Sequence, residues 1–189
     1  MGSRFIFKFS LPLFLFTLLF YLGSAKPAQA LEQGDCFNSS TVVITGSITD
    51  SSGISEIIVT VDGSTPSAFN IDNGNWTATF TGLTDGPHTL LVTGTDACGS
   101  GNTAVTDPLG FKVDTISPFV AITSPTNGEI FCTGSIVISG SYENGDSTCE
   151  ERLDFWPWQP CGTGFPPIPD GPHTISIRVT DSCGNSATD

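Results

Sequence analysis

Asp85-Gly86-Pro87-His88-Thr89 recurs letter for letter as Asp170-Gly171-Pro172-His173-Thr174, and each copy leads through an alternating apolar stretch into Thr-Asp-x-Cys-Gly. A chain that repeats itself in this way is built of two copies of one small unit, each with its own core to bury. Leu90, Val92 and Gly94 share one face of the stretch with the equivalent Ile175, Ile177 and Val179, while Thr89, Leu91, Thr93 and Thr174, Ser176, Arg178 take the other. Alternation with period two is the pattern of a half-buried antiparallel strand. Its entry fits as well, because Asp and Gly form a turn and Pro, which lacks an N–H, is tolerated at the first residue of a strand.

Other segments align around this strand. Residues 41–47 match 135–141, which gives each copy an early β-branched strand that leaves through Gly-Ser. In the first copy, strands over 57–61 and 76–80 follow, with Trp76, Ala78 and Phe80 on one face, separated by the turn signals Asp62-Gly63 and Asp72-Asn73-Gly74. A strand over 109–113 closes the first copy, and residues 114–118 lead directly into a strand over 119–123 of the second. No stretch carries a helical period, so the fold class is all-β: two tandem antiparallel β-sandwiches of short strands.

The two copies differ in length. Ile44 and Ile138 are 94 residues apart but His88 and His173 only 85, so the second copy has lost nine residues in between. That is about one strand with its turn, and the loss points to the counterpart of 76–80. Residues 164–169 stand in its place, and their prolines forbid a ladder. The second unit is therefore a shortened sandwich. The sequence also stops at Asp189, just after the turn that precedes the closing strand in the first copy. It reads either as a piece of a longer repeat array or as a unit whose open edge is paired by another chain.

Residues 1–30 stand apart. Arg4 and Lys8 precede the apolar run 11–22, and Ala28-Gln29-Ala30 has the small-x-small form of a cleavage site. The run holds Pro12 and Thr17 and is shorter than the roughly 20 residues of a membrane span. The expected organisation is a signal peptide over 1–30, one sandwich over 31–115 and a second over 116–189, with the protein secreted or at the cell surface and no membrane insertion once the signal is removed. All 19 acidic residues follow Ala30, against Lys112, Arg152 and Arg178, so the chain after residue 30 carries a net charge of 3 minus 19, or −16. Such a surface repels nucleic acid and anionic membranes.

The pattern Val-Asp-Thr-x-x-Pro at 113–118, Thr-Ser-Pro-x-x-Gly at 123–128, the two Asp-Gly-Pro-His-Thr copies and Thr-Asp-x-x-Gly-Asn at 180–185 resembles bacterial immunoglobulin-like repeats. The resemblance covers most of residues 40–189. It implies immunoglobulin-like sandwiches used as stalk, spacer or adhesive display modules, with neighbouring repeats or subunits as partners.

Six cysteines behind an export signal read as disulfides. The 85-residue offset makes Cys98 and Cys183 equivalent, while Cys36 and Cys132 lie upstream of the equivalent Ile44 and Ile138. The repeat therefore predicts Cys36 with Cys98, Cys132 with Cys183, and the leftover Cys149 with Cys161. There is no Cys-x-x-Cys pair for a metal or haem.

No catalytic constellation is expected, since the only histidines, His88 and His173, occupy the same turn in each copy and no strained Gly-x-Ser-x-Gly turn exists. Calcium is the one cofactor considered. Related surface repeats hold it between modules, which here would use the linker residue Asp114 with a turn carboxylate such as Asp96. Phe155, Trp156 and Trp158, inside the Cys149 to Cys161 segment, look added to the scaffold. They would anchor a protein or glycan ligand, with Trp156 and Trp158 as a sugar platform, or else fill the shrunken core as Trp76 fills the first.

Overall fold

The structure is a computed structural model that describes residues 31–189 apart from 73, 99, 100, 144 and 146, together with the backbone of three short strands before residue 31. Those are β1 (Phe7–Leu11), which pairs antiparallel with β2 (Phe14–Leu18), and β3 (Tyr21–Leu22), which pairs with residues 44 and 45. The cleavage motif at 28–30 lies outside the described residues. The chain divides into compact units Met1–Asp114 and Thr115–Asp189, and all the described elements are strands.

In the first unit β4 (Cys36–Phe37), β5 (Val42–Ser47), β6 (Ile54–Val61), β7 (Ala68–Asp72), β8 (Asn75–Phe80), β9 (Gly86–Asp96), β10 (Thr103–Val105) and β11 (Leu109–Val113) form two facing sheets. One runs β3-β5-β8-β7; in the other β6 lies on one side of β9, and β10 and β11 share its opposite side, with β4 parallel to β11 outside them. Every second residue points inward, which buries Val42, Ile44, Val59, Val61, Trp76, Ala78, Phe80, Leu90, Val92, Phe111 and Val113 in one cluster. Each large side chain hidden there contributes about 1.5–3 kcal/mol. Gly46 is required by this packing, because a Cβ there would run into the ring of Trp76. Strand β7 carries no alternation, since all five of its residues are exposed.

The second unit comprises β12 (Val120–Ser124), β13 (Ser139–Tyr142), β14 (Thr148–Leu153), β15 (Gln159–Pro160), β16 (Ile175–Thr180) and β17 (Ser186–Thr188). Its sheets are β12-β13 and β15-β14-β16-β17. Strand pairing repeats the first unit residue by residue. Val61 faces Leu90 and Val59 faces Val92, as Leu153 faces Ile175 and Glu151 faces Ile177. Asp62 and Asp154, one residue past these strands, are therefore equivalent with an offset of 92. Of the nine lost residues, two go before this point and seven between it and His173. No strand lies among residues 161–174, where the counterpart of β8 would be.

One consequence overturns part of the sequence expectation. The early strand predicted over 135–141 begins only at Ser139, and Val137 is 78% exposed. In the first unit β8 holds β5 in register along its full length; with that partner gone, 135–138 have no ladder to join. Ile168 from the proline-rich segment is buried instead, its N–H donating to Gly134 O at 2.9 Å.

Candidate functional site

Each Asp-Gly-Pro-His-Thr copy is locked by an aspartate the sequence pattern does not pair with it. Asp62 N–H donates to Thr89 O at 2.9 Å and Thr89 N–H returns a bond to Asp62 Oδ1 at 2.8 Å. Asp62 Oδ2 lies 2.6 Å from His88 Nδ1, and His88 Nε2 lies 2.7 Å from Thr84 O. In the second unit Asp154 N–H meets Thr174 O at 2.7 Å, and the three remaining distances, with Pro169 O in the carbonyl's place, are all 2.8 Å. Both aspartates adopt left-handed backbone, with φ of 51° and 52°, which aims one carboxylate at ring and amide together. Asp tolerates that region better than most residues.

A carboxylate and a carbonyl only accept, so each ring must donate from both nitrogens, which makes it an imidazolium. Burial pulls the pKa of His88 down, but the bonds to Thr84 and Asp62 outweigh it and the net shift is upward. His173 is raised chiefly by Asp154, and Asp154 is lowered chiefly by His173. These histidines hold a turn in place, and neither has a ring nitrogen left for catalysis.

Past the clamp the two units diverge. After Asp62 the first continues Gly63, Ser64, Thr65, Pro66; after Asp154 the second continues Phe155, Trp156, Pro157, Trp158. Phe155 is 98% exposed and Trp156 38%. The loop that carries them is held on all sides. Trp156 N–H closes a turn on Leu153 O at 2.9 Å, β15 pairs with β14, and a disulfide joins Cys149 to Cys161 with Cα atoms 5.4 Å apart. Arg152 and Arg178 project from the outer face of β14 and β16, and each places its guanidinium carbon 4.4 Å from the centre of the Trp158 ring. Glu150 fixes Arg178 with bonds of 2.6 and 3.1 Å. Cation–π contacts of this kind contribute about 0.5–1 kcal/mol each at partly exposed sites. Trp156 also meets the edge of Phe165, ring centres 6.3 Å apart.

Two expectations change as a result. Trp158 is part of the loop's support, because two guanidinium groups occupy the ring surface a sugar would stack on. Nor does the Phe155, Trp156 and Trp158 group replace Trp76, which is 1% exposed in its own core.

The predicted Cys149 to Cys161 bond is present, but the predicted pairings of Cys36 with Cys98 and of Cys132 with Cys183 are corrected. Cys98 and Cys132 are exposed free thiols, while Cys36 and Cys183 are each in a disulfide. Through Lys112, Cys36 stands level with Pro87 at the start of β9, whereas Cys98 follows its far end. That strand separates them by roughly 30 Å, and a disulfide spans Cα atoms only about 4.4–6.8 Å apart. Cys132 lies just before residues 135–138, which have no ladder to join.

The same strand separates the proposed calcium ligands. Asp114 follows Val113, which faces Gly86, and Asp96 ends β9 ten residues on. The two carboxylates therefore lie roughly 30 Å apart and cannot share an ion. Each is engaged locally: Asp96 accepts from Asn102 N–H at 2.8 Å and Asn102 Nδ2 at 3.0 Å, the side-chain bond chiefly holding its pKa low, and Asp114 accepts from Lys112 Nζ at 2.7 Å. Asp181 repeats the Asp96 arrangement with Asn185.

Comparison with known proteins agrees with the strand layout. Residues 29–115 match the family model described as a bacterial Ig-like domain. A solved structure of the fibronectin(III)-like modules of CbhA from Clostridium thermocellum is similar with a TM-score of 0.55 at 15% identity, covering 90% of this chain and 90% of that one. No curated protein matches. The inward alternation, the two-sheet order and the family match together identify the first unit as a bacterial Ig-like domain.

Proposed function

We propose that this is an exported, non-enzymatic surface protein whose Ig-like units serve as a scaffold that displays the aromatic loop at 154–160 to a protein partner. The observation that carries this reading is Phe155, 98% exposed in a loop held by a disulfide, an ion-paired turn and a doubly stacked tryptophan. A loop with no partner gains nothing from a rigid phenylalanine in water. Rigid, exposed aromatics are the usual anchors of protein interfaces, because little side-chain entropy is lost when they dock. Export through residues 1–30 accords with the disulfides, which persist in oxidising compartments.

The test is a Phe155→Ser, Trp156→Ser double variant of the full chain, coated on beads and applied to extracellular-matrix proteins and to a glycan array. Retained thermal stability with lost adhesion to a protein surface supports the reading. Unchanged adhesion removes it, and binding to glycans alone reinstates the carbohydrate alternative.

A second reading rests on the edge of β16. In the first unit β11 covers residues 86–90 of β9, whereas among the described residues no strand lies on the matching side of the equivalent 171–175, opposite β14. A strand supplied by a neighbouring subunit would complete the second sandwich, as in a filament. Light scattering of the purified chain that finds only monomers over a wide concentration range counts against it.

A further inference from the structure

The second sandwich departs from the first beside its matching glycine. In the first unit a Cβ at Gly46 would meet the Trp76 ring, whereas at the equivalent Gly140 it would meet the backbone of Ala121, and Gly140 lines a half-open cavity of about 340 Å³. Its walls are apolar, with Ile136, Ile138, Tyr142, Phe165 and Ile177 among them. One group breaks that character. Glu151 takes the inward position that Val59 holds in the first unit, is only 4% exposed and lines the same cavity. Its Oε1 accepts from Gly164 N–H at 3.1 Å and from Gln159 Nε2 at 3.3 Å, while among the described residues no protein donor reaches Oε2, which is not sealed from the open cavity.

A carboxylate at a core position is costly unless something completes its bonding. Valine at the matching site shows that the fold itself does not require it. We infer that the cavity is a binding site for a small flat aromatic ligand that carries a cationic or N–H donor nitrogen, its ring lying against the apolar walls and its nitrogen bonded to Glu151 Oε2. The cavity volume lies at the lower end of small-ligand pockets, about 300–1,000 Å³, which suits a ligand of one or two fused rings. The negative charge at its floor selects an amine and rejects a carboxylate.

Three probes that share an indole ring distinguish this from nonspecific apolar uptake: tryptamine, indole and indole-3-propionate, each titrated into the full chain while the methyl NMR signals of Ile138 and Ile177 are followed. Tryptamine should bind at least about tenfold more tightly than indole, the gain of one charge-assisted bond, with indole-3-propionate weakest. In Glu151→Val the tryptamine preference over indole should vanish while indole binding persists. Equal affinity for all three probes, no shift of either methyl signal with millimolar tryptamine, or a preference that survives Glu151→Val would overturn the assignment. The comparison of probes on the unaltered protein stands even where a variant fails to fold.

Discussion

Replacing His88 by phenylalanine keeps a ring of similar size against Phe111, whose centre lies 5.4 Å away, and removes only the two N–H donors. The two losses differ in size. Asp62 is 48% exposed, so water takes over much of its bond, whereas the His88 side chain is 6% exposed and Thr84 O loses its donor beside an apolar ring. Bonds to charged groups contribute about 1.5–3 kcal/mol when buried and less when hydrated, and an abandoned acceptor costs about 1–3, so the sum is about 2–4 kcal/mol. For a domain of this size 1 kcal/mol shifts Tm by about 4–8 °C, which places the first unit's melting roughly 10–25 °C lower.

The pH dependence separates loss of an imidazolium from loss of mere packing. The folded pKa of His88 is raised above its ordinary 6.5, so its contribution is complete below that value and is lost as pH rises through the folded pKa. Between the two values the unfolded chain holds one proton fewer, and stability falls by about 1.4 kcal/mol per pH unit for the His88 clamp, with His173 declining in the same direction. On the acid side Asp154 has a lowered pKa, so its share is present above its ordinary 3.8 and is lost as pH falls through the folded value. Both clamps are therefore intact near pH 5–6. Calorimetric melts of the wild type, His88→Phe and His173→Phe between pH 5 and 9 should show the alkaline decline in the wild type and its disappearance from the altered unit. A His88→Phe melt within about 2 °C of wild type at pH 5.5, or an alkaline slope shared by wild type and variant, refutes the imidazolium.

Gly46→Ala forces a methyl group into the Trp76 ring; overpacking of this kind costs about 1–3 kcal/mol, read as a lower urea midpoint with near-UV dichroism following the tryptophan environment. Non-reducing alkylation and peptide mass mapping should label Cys98 and Cys132 in the native protein and find the Cys149 to Cys161 bond; a Cys36 to Cys98 bond would contradict the register of β4 against β11 and β9.

Most of the first unit is legible in its sequence because its inner strands alternate without interruption. Trp76, Ala78 and Phe80 announce β8, and Leu109, Phe111 and Val113 announce β11. Strand β7 left no trace because both of its faces are wet, and 135–138 misled because β-branched residues mark a strand only where a partner exists to pair with them. The clamps were hidden for another reason. Asp62 and His88 are 26 residues apart and Asp154 and His173 only 19, so no fixed spacing marks the pair. The pairings of Cys36 with Cys98 and of Cys132 with Cys183 failed on a false premise, that equivalent positions make equivalent bonds: the sequence places Cys98 just past an eleven-residue strand but does not show that Cys36 stands level with that strand's start.

What distinguishes the second unit is placed by the first, used as a control at each equivalent position. Gly63 becomes Phe155, so a turn that needed no side chain now presents an aromatic ring; Val59 becomes Glu151, so a core position now carries a charge; and the strand that would bring a tryptophan is gone. Packing demands none of these changes, since the first unit folds with the simpler residue in the same register. Each of them carries a cost, in exposed apolar surface, in a largely buried carboxylate or in a loosely filled interior. Costs that the scaffold does not impose concentrate where a ligand or partner offsets them, and two of them converge on one strand. In β14, Arg152 faces outward to brace the aromatic loop while Glu151, its neighbour, faces inward to the cavity. Occupation of the cavity therefore bears on the strand that positions Phe155. Ligand binding that altered hydrogen exchange at Leu153 and Trp156 would tie the two sites together, and exchange left unchanged there would make them independent.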